Sequence, residues 1–239
     1  MSIYDTKSIG QAIAGNPYVG RGILLGLTED GAKLAVAYFI MGRSENSRNR
    51  IFTEKESEVI IYPFDESKVE DPSLIIYSPI KMTGDALIVT NGDQTQTIYD
   101  FLQDGKTFEE ALRTRQFEPD APNLTPRISG IAYLKEDGLS YKLSILKSAD
   151  AEGSACNRYT FEYEPVAGLG HFIHTYVTDG NPIPTFQGEP ERIQVPNDID
   201  ELTKDLWENL NEQNKISLYV RYLNLATGET ENRMLNKNQ

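Results

Sequence analysis

Arg43, Arg48 and Arg50 fall within eight residues, in the run Gly42-Arg43-Ser44-Glu45-Asn46-Ser47-Arg48-Asn49-Arg50. The chain around them is acidic, with a formal charge of −13. A guanidinium fork pairs its N–H groups with phosphate or carboxylate oxygens. One reading is therefore a loop that holds an anionic small molecule. The other is a solvated surface loop with scattered arginines.

Three more places station polar residues where an apolar run begins or ends: Tyr18-Val19-Gly20-Arg21, Thr90-Asn91-Gly92-Asp93 and Thr125-Pro126-Arg127. Gly and Asn are ordinary turn residues. An arginine beside a buried strand says more. Burying it unpaired costs several kcal/mol, so it must meet an acid or an anionic ligand. Arg21, Arg43 and Arg127 converge if these strand ends lie together.

Other chemistry-bearing residues are sparse. His171 and His174 are the only histidines, and they share a face if that piece is helical. They read as a substrate-facing pair on a long loop, or as packing against Phe172 and Tyr176. Glu189 would complete a three-ligand set, but a lone His-x-x-His is weak evidence and no metal is expected. Cys156 is the single cysteine, which excludes an internal disulfide and reads as a structural thiol. There is no Walker-type loop, dinucleotide fingerprint, Gly-x-Ser-x-Gly elbow or paired-cysteine spacing, so no cofactor is expected.

The elements that must position these residues can be read from pattern. Residues 21–28 and 34–41 are nearly continuous apolar strands around the turn Glu29-Asp30-Gly31, which implies a sheet covered on both faces. Further strands are predicted at 58–62, 74–78, 86–90, 127–134, 139–146, 158–164, 216–224 and 229–235. Turns are expected at Lys81–Asp85, Glu136-Asp137-Gly138 and Ala226-Thr227-Gly228, and an acidic, solvated connection through Asp65, Glu66, Glu70, Asp71 and Pro72. A short helix is expected over 8–14. Asp93 or Thr95 caps a helix bearing Ile98, Phe101 and Leu102, and Thr107-Phe108-Glu109-Glu110 opens another through a capping box. Asp198-Ile199-Asp200-Glu201 opens a helix running to about 213. The stretch 166–196 is rich in Gly and Pro and reads as a long irregular loop, of the kind that is usually functional.

Strands, a helix pair, strands, a helix and strands give an α+β layered sandwich, two sheets face to face with helices outside. Hairpin turns argue against a doubly wound parallel fold. At 239 residues, 39% hydrophobic and 25% charged, the chain is expected to form a single domain, 1–239, around one core. Its acidity argues against nucleic acid and against an acidic membrane surface as partners. No signal peptide is visible and apolar runs are too short to span a bilayer, so a cytoplasmic protein is expected. Oligomeric state stays open, a homo-oligomer included.

Taken together, Tyr18-Val19-Gly20-Arg21, Ala37-Tyr38, Arg43-Ser44, Asn49-Arg50, Tyr77, Gly84-Asp85, Thr90-Asn91-Gly92, and Asn123 with Thr125-Pro126-Arg127-Ile128 resemble the archaeal-type inosine monophosphate (IMP) cyclohydrolase family. The pieces run in the family's order over roughly residues 18 to 135. Residues 148–196, with Gly170-His171-Phe172-Ile173-His174-Thr175-Tyr176, look like a longer bacterial branch. Phe39 stands where archaeal members carry a basic residue.

The resemblance implies a four-layer α-β-β-α sandwich like that of the N-terminal-nucleophile hydrolases, without their terminal nucleophile, because the first strand starts near Arg21, inside the chain. It implies closure of the second purine ring of 5-formamido-imidazole-4-carboxamide ribotide to IMP and water, with a purine ribonucleotide as substrate and no cofactor. It implies roles too. Arg43, Ser44, Asn49 and Arg50 would grip phosphate or ribose. Arg21 and Arg127 would hold phosphate or polarise the reacting oxygens, and Asn91 and Gly92 would meet the base. Tyr77 and Glu118 are the acid/base candidates. Two other functions compete: a non-catalytic purine-nucleotide-binding protein on the same fold, and an amide hydrolase of the N-terminal-nucleophile class.

Overall fold

The computed structural model of the chain describes residues 2, 4–55, 58–68, 76–135 and 138–238. Ser8 caps the short helix α1 (Ile9–Ile13) through a capping box with Gln11. The apolar runs that follow form β1 (Arg21–Leu27) and β2 (Lys33–Met41), buried along almost their whole length. The arginine-rich segment makes a single helical turn, α2 (Glu45–Arg48), capped by Ser44. β3 (Ile51–Lys55) and β4 (Glu58–Tyr62) come next, then β5 (Ile80–Thr83) and β6 (Ala86–Thr90). Two helices, α3 (Gln94–Gln103) and α4 (Phe108–Arg113), precede three long strands, β7 (Arg127–Lys135), β8 (Gly138–Ser148) and β9 (Cys156–Tyr163). The chain then forms β10 (Leu169–His174), β11 (Glu191–Gln194), α5 (Ile199–Asn209), β12 (Lys215–Asn224) and β13 (Thr230–Asn236).

Two antiparallel sheets result. One has six strands in the order β11-β10-β1-β2-β12-β13, and the other has seven in the order β3-β4-β5-β6-β7-β8-β9. Alternation decides which side chains meet. Ile23, Leu25, Val36 and Tyr38 from the first sheet share a core with Val59, Leu87, Val89 and Leu143 from the second. The opposite face of the six-stranded sheet packs on α1 and α5 through Ile9, Ile13, Leu202 and Leu206. The opposite face of the seven-stranded sheet packs on α3 and α4 through Ile98, Phe108 and Leu112. This mixed α+β arrangement is compatible with a layered sandwich. No helix among the described residues is long and apolar enough to cross a membrane.

Several expectations shift. The strand expected at 74–78 has residues 74 and 75 outside the described residues, and 76–78 are irregular; the strand begins after Pro79 as β5, which absorbs Lys81 and Met82 from the expected turn. Glu136 and Asp137 of an expected turn, and Glu70, Asp71 and Pro72 of the acidic connection, also lie outside the described residues. β3 was unforeseen, because its Ile-Phe-Thr run follows directly on the polar loop. The stretch 166–196 is not irregular throughout: β10 is an interior strand, buried at every position and flanked by β1 and β11. Asp198 caps α5 through the Asp200 amide, two residues on. Asp93 occupies the N-cap position of α3 without a side-chain cap bond.

Candidate functional site

Register brings several strand ends to one end of the sandwich. In the six-stranded sheet Arg21 opposes Ile40 and Gly22 opposes His174, so the start of β1 lies beside the ends of β2 and β10. In the other sheet Thr90 opposes Ser129, placing the end of β6 beside the start of β7. Alternation along β1 turns Arg21 to the same side as Ile23 and Leu25, the gap between the sheets. Arg50, two residues before the core residue Phe52, enters that gap from the other sheet.

Gly20 makes the entry of Arg21 feasible. Its φ is +80°, and a Cβ there would lie 2.1 Å from Thr175 Oγ1 and 2.6 Å from a ring carbon of Tyr176. Glycine adopts this conformation without the clash. Thr175 Oγ1 in turn accepts the Arg21 main-chain N–H at 3.1 Å.

The two arginines share a ring of polar groups. Tyr38, Tyr77, Glu118 and Arg21 all act electrostatically on Arg50, and Tyr18, Glu118, Tyr77 and Tyr176 act on Arg21. The Nε atoms of Arg21 and Arg50 are buried without a hydrogen-bond partner, and among the described residues neither side chain is in an ion pair. Burial lowers the proton affinity of Arg50 and the charge of Arg21 lowers it further. Burial also works against the charge on Arg21, but Tyr18, Glu118, Tyr77 and Tyr176 offset it and leave its affinity raised.

The walls are phenolic. Tyr77 donates its hydroxyl to the Asn91 carbonyl at 2.8 Å, so the 3.2 Å contact between the Tyr38 and Tyr77 hydroxyls has Tyr38 as donor. Burial holds both phenols protonated well into the alkaline range. Glu118 sits on the stretch before β7, its N–H bonded to the Thr125 carbonyl at 2.9 Å. Burial raises its pKa above the usual carboxylate value; Arg21 and Arg127 pull it back, and Asp120 pushes it up. A carboxyl with a raised pKa beside a guanidinium pair can do general acid/base work on a substrate that brings negative charge.

The other expected residues take different places. Arg43 lies at the rim over the Tyr18 ring, 5.3 Å from its centroid, paired with Asp179 and donating to the Gly180 carbonyl at 2.8 Å. Arg127 donates to Asp93 at 2.8 Å and Gln94 at 2.6 Å, and Asp93 also receives Arg115. Arg127 therefore reaches the cluster through its charge on Glu118, and the convergent arginines are Arg21 and Arg50. A Cβ on Gly92 would lie 2.5 Å from the Arg127 guanidinium, so this glycine lets Arg127 lie against the backbone.

Ser44 is engaged as the α2 cap. Asn49 is buried and clamps both N–H and C=O of Asp65 at 2.7 and 2.8 Å. The Asn91 side chain bonds Pro126 O, Ile128 N and Gln94, which leaves its carbonyl as its link to Tyr77. Arg48 ties the loop to Gly42 and Asn214.

The histidines lie on a strand, where a spacing of three puts them on opposite faces. His171 contacts the Tyr141 hydroxyl at 2.7 Å and stacks on Tyr163, and burial pushes its pKa down to about 4. His174 donates Nδ1–H to the Tyr176 carbonyl at 2.7 Å, and its Nε2 faces Glu191 at 3.2 Å. Among the described residues no contact joins either imidazole to Arg21, Arg50, Tyr77 or Glu118. Phe39 packs on Phe172 in the core beneath α1 and α5, on the far face of β2 from Tyr38. Among the described residues no three His, Cys, Asp or Glu side chains are grouped to hold a metal ion.

Sequence reasoning had not singled out Tyr18, Tyr38, Asp120 and Tyr176 as site residues. The alternation along β2 that puts Val36 and Ile40 in the core also puts Tyr38 there, and that was the available signal. The cavity of about 220 Å³ beside Tyr77 is lined by Ser78, Asp93, Thr95 and Gln96 and adjoins the cluster. A larger one of about 300 Å³ lies against α5, but Glu29, Glu201, Asp205 and Glu208 line it and would repel an anion.

A sequence model of the family described as IMP cyclohydrolase-like protein matches residues 18–229. The IMP cyclohydrolase of Methanopyrus kandleri is 31% identical over 186 residues, covering 71% of this chain and 89% of the relative. The IMP cyclohydrolase of Methanococcus maripaludis is 30% identical over 63% of this chain and 82% of its own, and that of Methanothrix thermoacetophila 31% over 64% and 80%.

Proposed function

The chain belongs to the IMP cyclohydrolase-like family, and from that membership and the site geometry we propose that it is an IMP cyclohydrolase. It closes the purine ring of 5-formamido-imidazole-4-carboxamide ribotide to give IMP and water, in purine biosynthesis. The single observation that carries this reading is the buried Arg21–Arg50 pair, with Glu118 and Tyr77 beside it and no ion-pair partner for either arginine among the described residues.

In the reaction the carboxamide nitrogen attacks the formyl carbon. A C–N bond forms and the formyl C–O bond breaks. The departing oxygen leaves as water, taking one proton from the carboxamide and one from the formamide N–H. An amide is a weak nucleophile, so folding the formamide toward it contributes much of the rate. Arg21, which faces Glu118, stabilises negative charge on the formyl oxygen. Glu118 takes the proton from the attacking nitrogen and delivers it to the leaving oxygen. Arg50, with Arg43 at the rim, holds the 5′-phosphate, which anchors the substrate away from the reacting atoms. Tyr77 keeps its proton on the Asn91 carbonyl and accepts from Tyr38, so it lines the pocket beside the two arginines and does not donate to the reacting oxygen. Asn49 and Asn91 serve by fixing the Arg50 loop and Tyr77, and Arg127 by its charge beside Glu118.

The fold fits an arrangement like that of the N-terminal-nucleophile hydrolases, with helices over the outer faces of both sheets. The head of β1 carries Gly20-Arg21-Gly22, so no Ser, Thr or Cys stands there as nucleophile. The test is incubation of the purified protein with the formamido ribotide and chromatography for IMP. Tight ligand binding without turnover would overturn the enzyme reading and support a non-catalytic nucleotide-binding protein.

A further inference from the structure

Asp120 is exposed, yet its carboxylate bonds lead into the site. It accepts the Thr125 N–H at 2.6 Å and the Thr125 hydroxyl. A carboxylate only accepts, so the Thr125 hydrogen points at Asp120. Thr125 Oγ1 lies 2.6 Å from the Tyr176 hydroxyl, in a buried contact. With its own hydrogen committed, Thr125 can only accept there, and Tyr176 must donate. The hydroxyls run in one sense, from Tyr176 through Thr125 to Asp120.

Two members of this chain touch the reacting cluster. The Thr125 carbonyl holds the Glu118 N–H. The Tyr176 ring packs where a Gly20 Cβ would stand, next to Arg21, and its oxygen acts on Arg21 electrostatically. Thr125 precedes β7 of the seven-stranded sheet and Tyr176 follows β10 of the six-stranded one, so their bond joins the two sheets at the mouth of the site. Leu124, between Asp120 and Thr125, has φ of +46°. A leucine holds that left-handed conformation only where its surroundings impose it, and Asp120 also accepts the Asn123 N–H through its carbonyl.

We propose that Asp120 is a positioning residue: through Thr125 and Tyr176 it sets the direction and separation between Glu118, on the stretch before β7, and Arg21, at the head of β1. The proposal rests on the cyclohydrolase reading for what those two residues accomplish. Asp120 also faces Glu118 as a like charge, alongside Arg21, Arg127, Arg50 and the Tyr77 phenol.

The test uses the full chain carrying Asp120→Asn, Tyr176→Phe, and both. Asn keeps the size and one acceptor but loses the charge and can present a donor. Each single variant is expected to lower kcat by about 10²-fold with KM little changed, as a displaced catalytic pair would. The double variant is expected to lose no more than either single one, since both break one chain. Multiplying losses would overturn the proposal. In Asp120→Asn the limb of the pH profile governed by Glu118 moves to lower pH. The same shift is read without turnover by ¹³C-carboxyl NMR titration, with Glu118→Gln assigning the signal, and an unmoved midpoint would also overturn it. A moved midpoint in a protein that closes no ring would sink the cyclohydrolase reading and leave the positioning inference standing. Thermal midpoints of all variants separate these effects from unfolding.

Discussion

Arg50 faces Arg21 across the gap between the two sheets, and the charge of Arg21 adds to burial in lowering the proton affinity of Arg50. Neither guanidinium is in an ion pair with a carboxylate among the described residues, and both Nε atoms are buried without a partner. The repulsion falls on Arg50, and an anion held between the two guanidinium groups would relieve it. Stability given up at one place and recovered on binding is a physical signature of a site.

Replacing Arg50 by Met removes the repulsion while filling the same volume. The thermal midpoint of the ligand-free protein should rise, by about 2–4 °C for each kcal/mol relieved. Affinity for IMP should fall by about 10-fold or more, since a charge-assisted hydrogen bond contributes roughly 1.5–3 kcal/mol. Differential scanning calorimetry and titration calorimetry measure the two effects. A variant that is less stable and binds IMP as well as the parent contradicts the assignment.

Glu118→Gln should lower kcat by about 10²–10⁴-fold, the usual span for general acid/base catalysis. Its effect on stability has a definite sign. The folded pKa is raised above the unfolded one, so the folded state holds the proton more tightly. That contribution is fully present below the unfolded pKa and is lost as pH rises through the folded pKa. Gln mimics the protonated form, so the variant should melt higher than the parent at neutral pH, and the difference should vanish in acid. Melting curves across pH decide it.

The rim gives a weaker but separable prediction. Arg43 is engaged by Asp179, the Gly180 carbonyl and the Tyr18 ring, so a phosphate must compete with a carboxylate for it. Arg43→Ala should weaken IMP binding, and Asp179→Asn should strengthen it or leave it unchanged, with the gap narrowing at high salt. An unchanged dissociation constant for Arg43→Ala removes the loop from the site.

Asn236 tests the join between the two sheets. Its side chain accepts from the Phe52 N–H at 2.8 Å and donates to the Phe52 carbonyl at 2.9 Å, bridging the edge of one sheet to the edge of the other. Asn236→Ala should cost about 1–3 kcal/mol by leaving those partly buried groups unpaired. Denaturant unfolding reads this, and an unchanged unfolding free energy would contradict it.

The sequence carried the local parts of this picture. Apolar runs around Asp30-Gly31 announce β1 and β2, and Thr107 with Glu110 announces α4 through a capping box that the structure contains. Arg21, Arg50, Tyr77 and Glu118, all named beforehand, do come together. What local pattern could not supply was pairing across the sandwich. Tyr38 meets Tyr77 over 39 residues and Thr125 meets Tyr176 over 51, and only the packing of two sheets sets those contacts. Composition misled where it stood in for burial: the Gly- and Pro-rich stretch conceals β10, whose six residues are all buried. The side chain of Asn91 was expected to meet a base and instead holds the start of β7, because the Ile128 N–H inside the fold required an acceptor.

The most direct measurement is single-turnover conversion of the formamido ribotide by the purified protein, beside its Arg21→Ala and Glu118→Gln variants. The parent should convert bound substrate to IMP far faster than the uncatalysed reaction, while both variants fall toward that background and stay folded. IMP formation by the parent no faster than in buffer, with the ribotide demonstrably bound, would contradict the account.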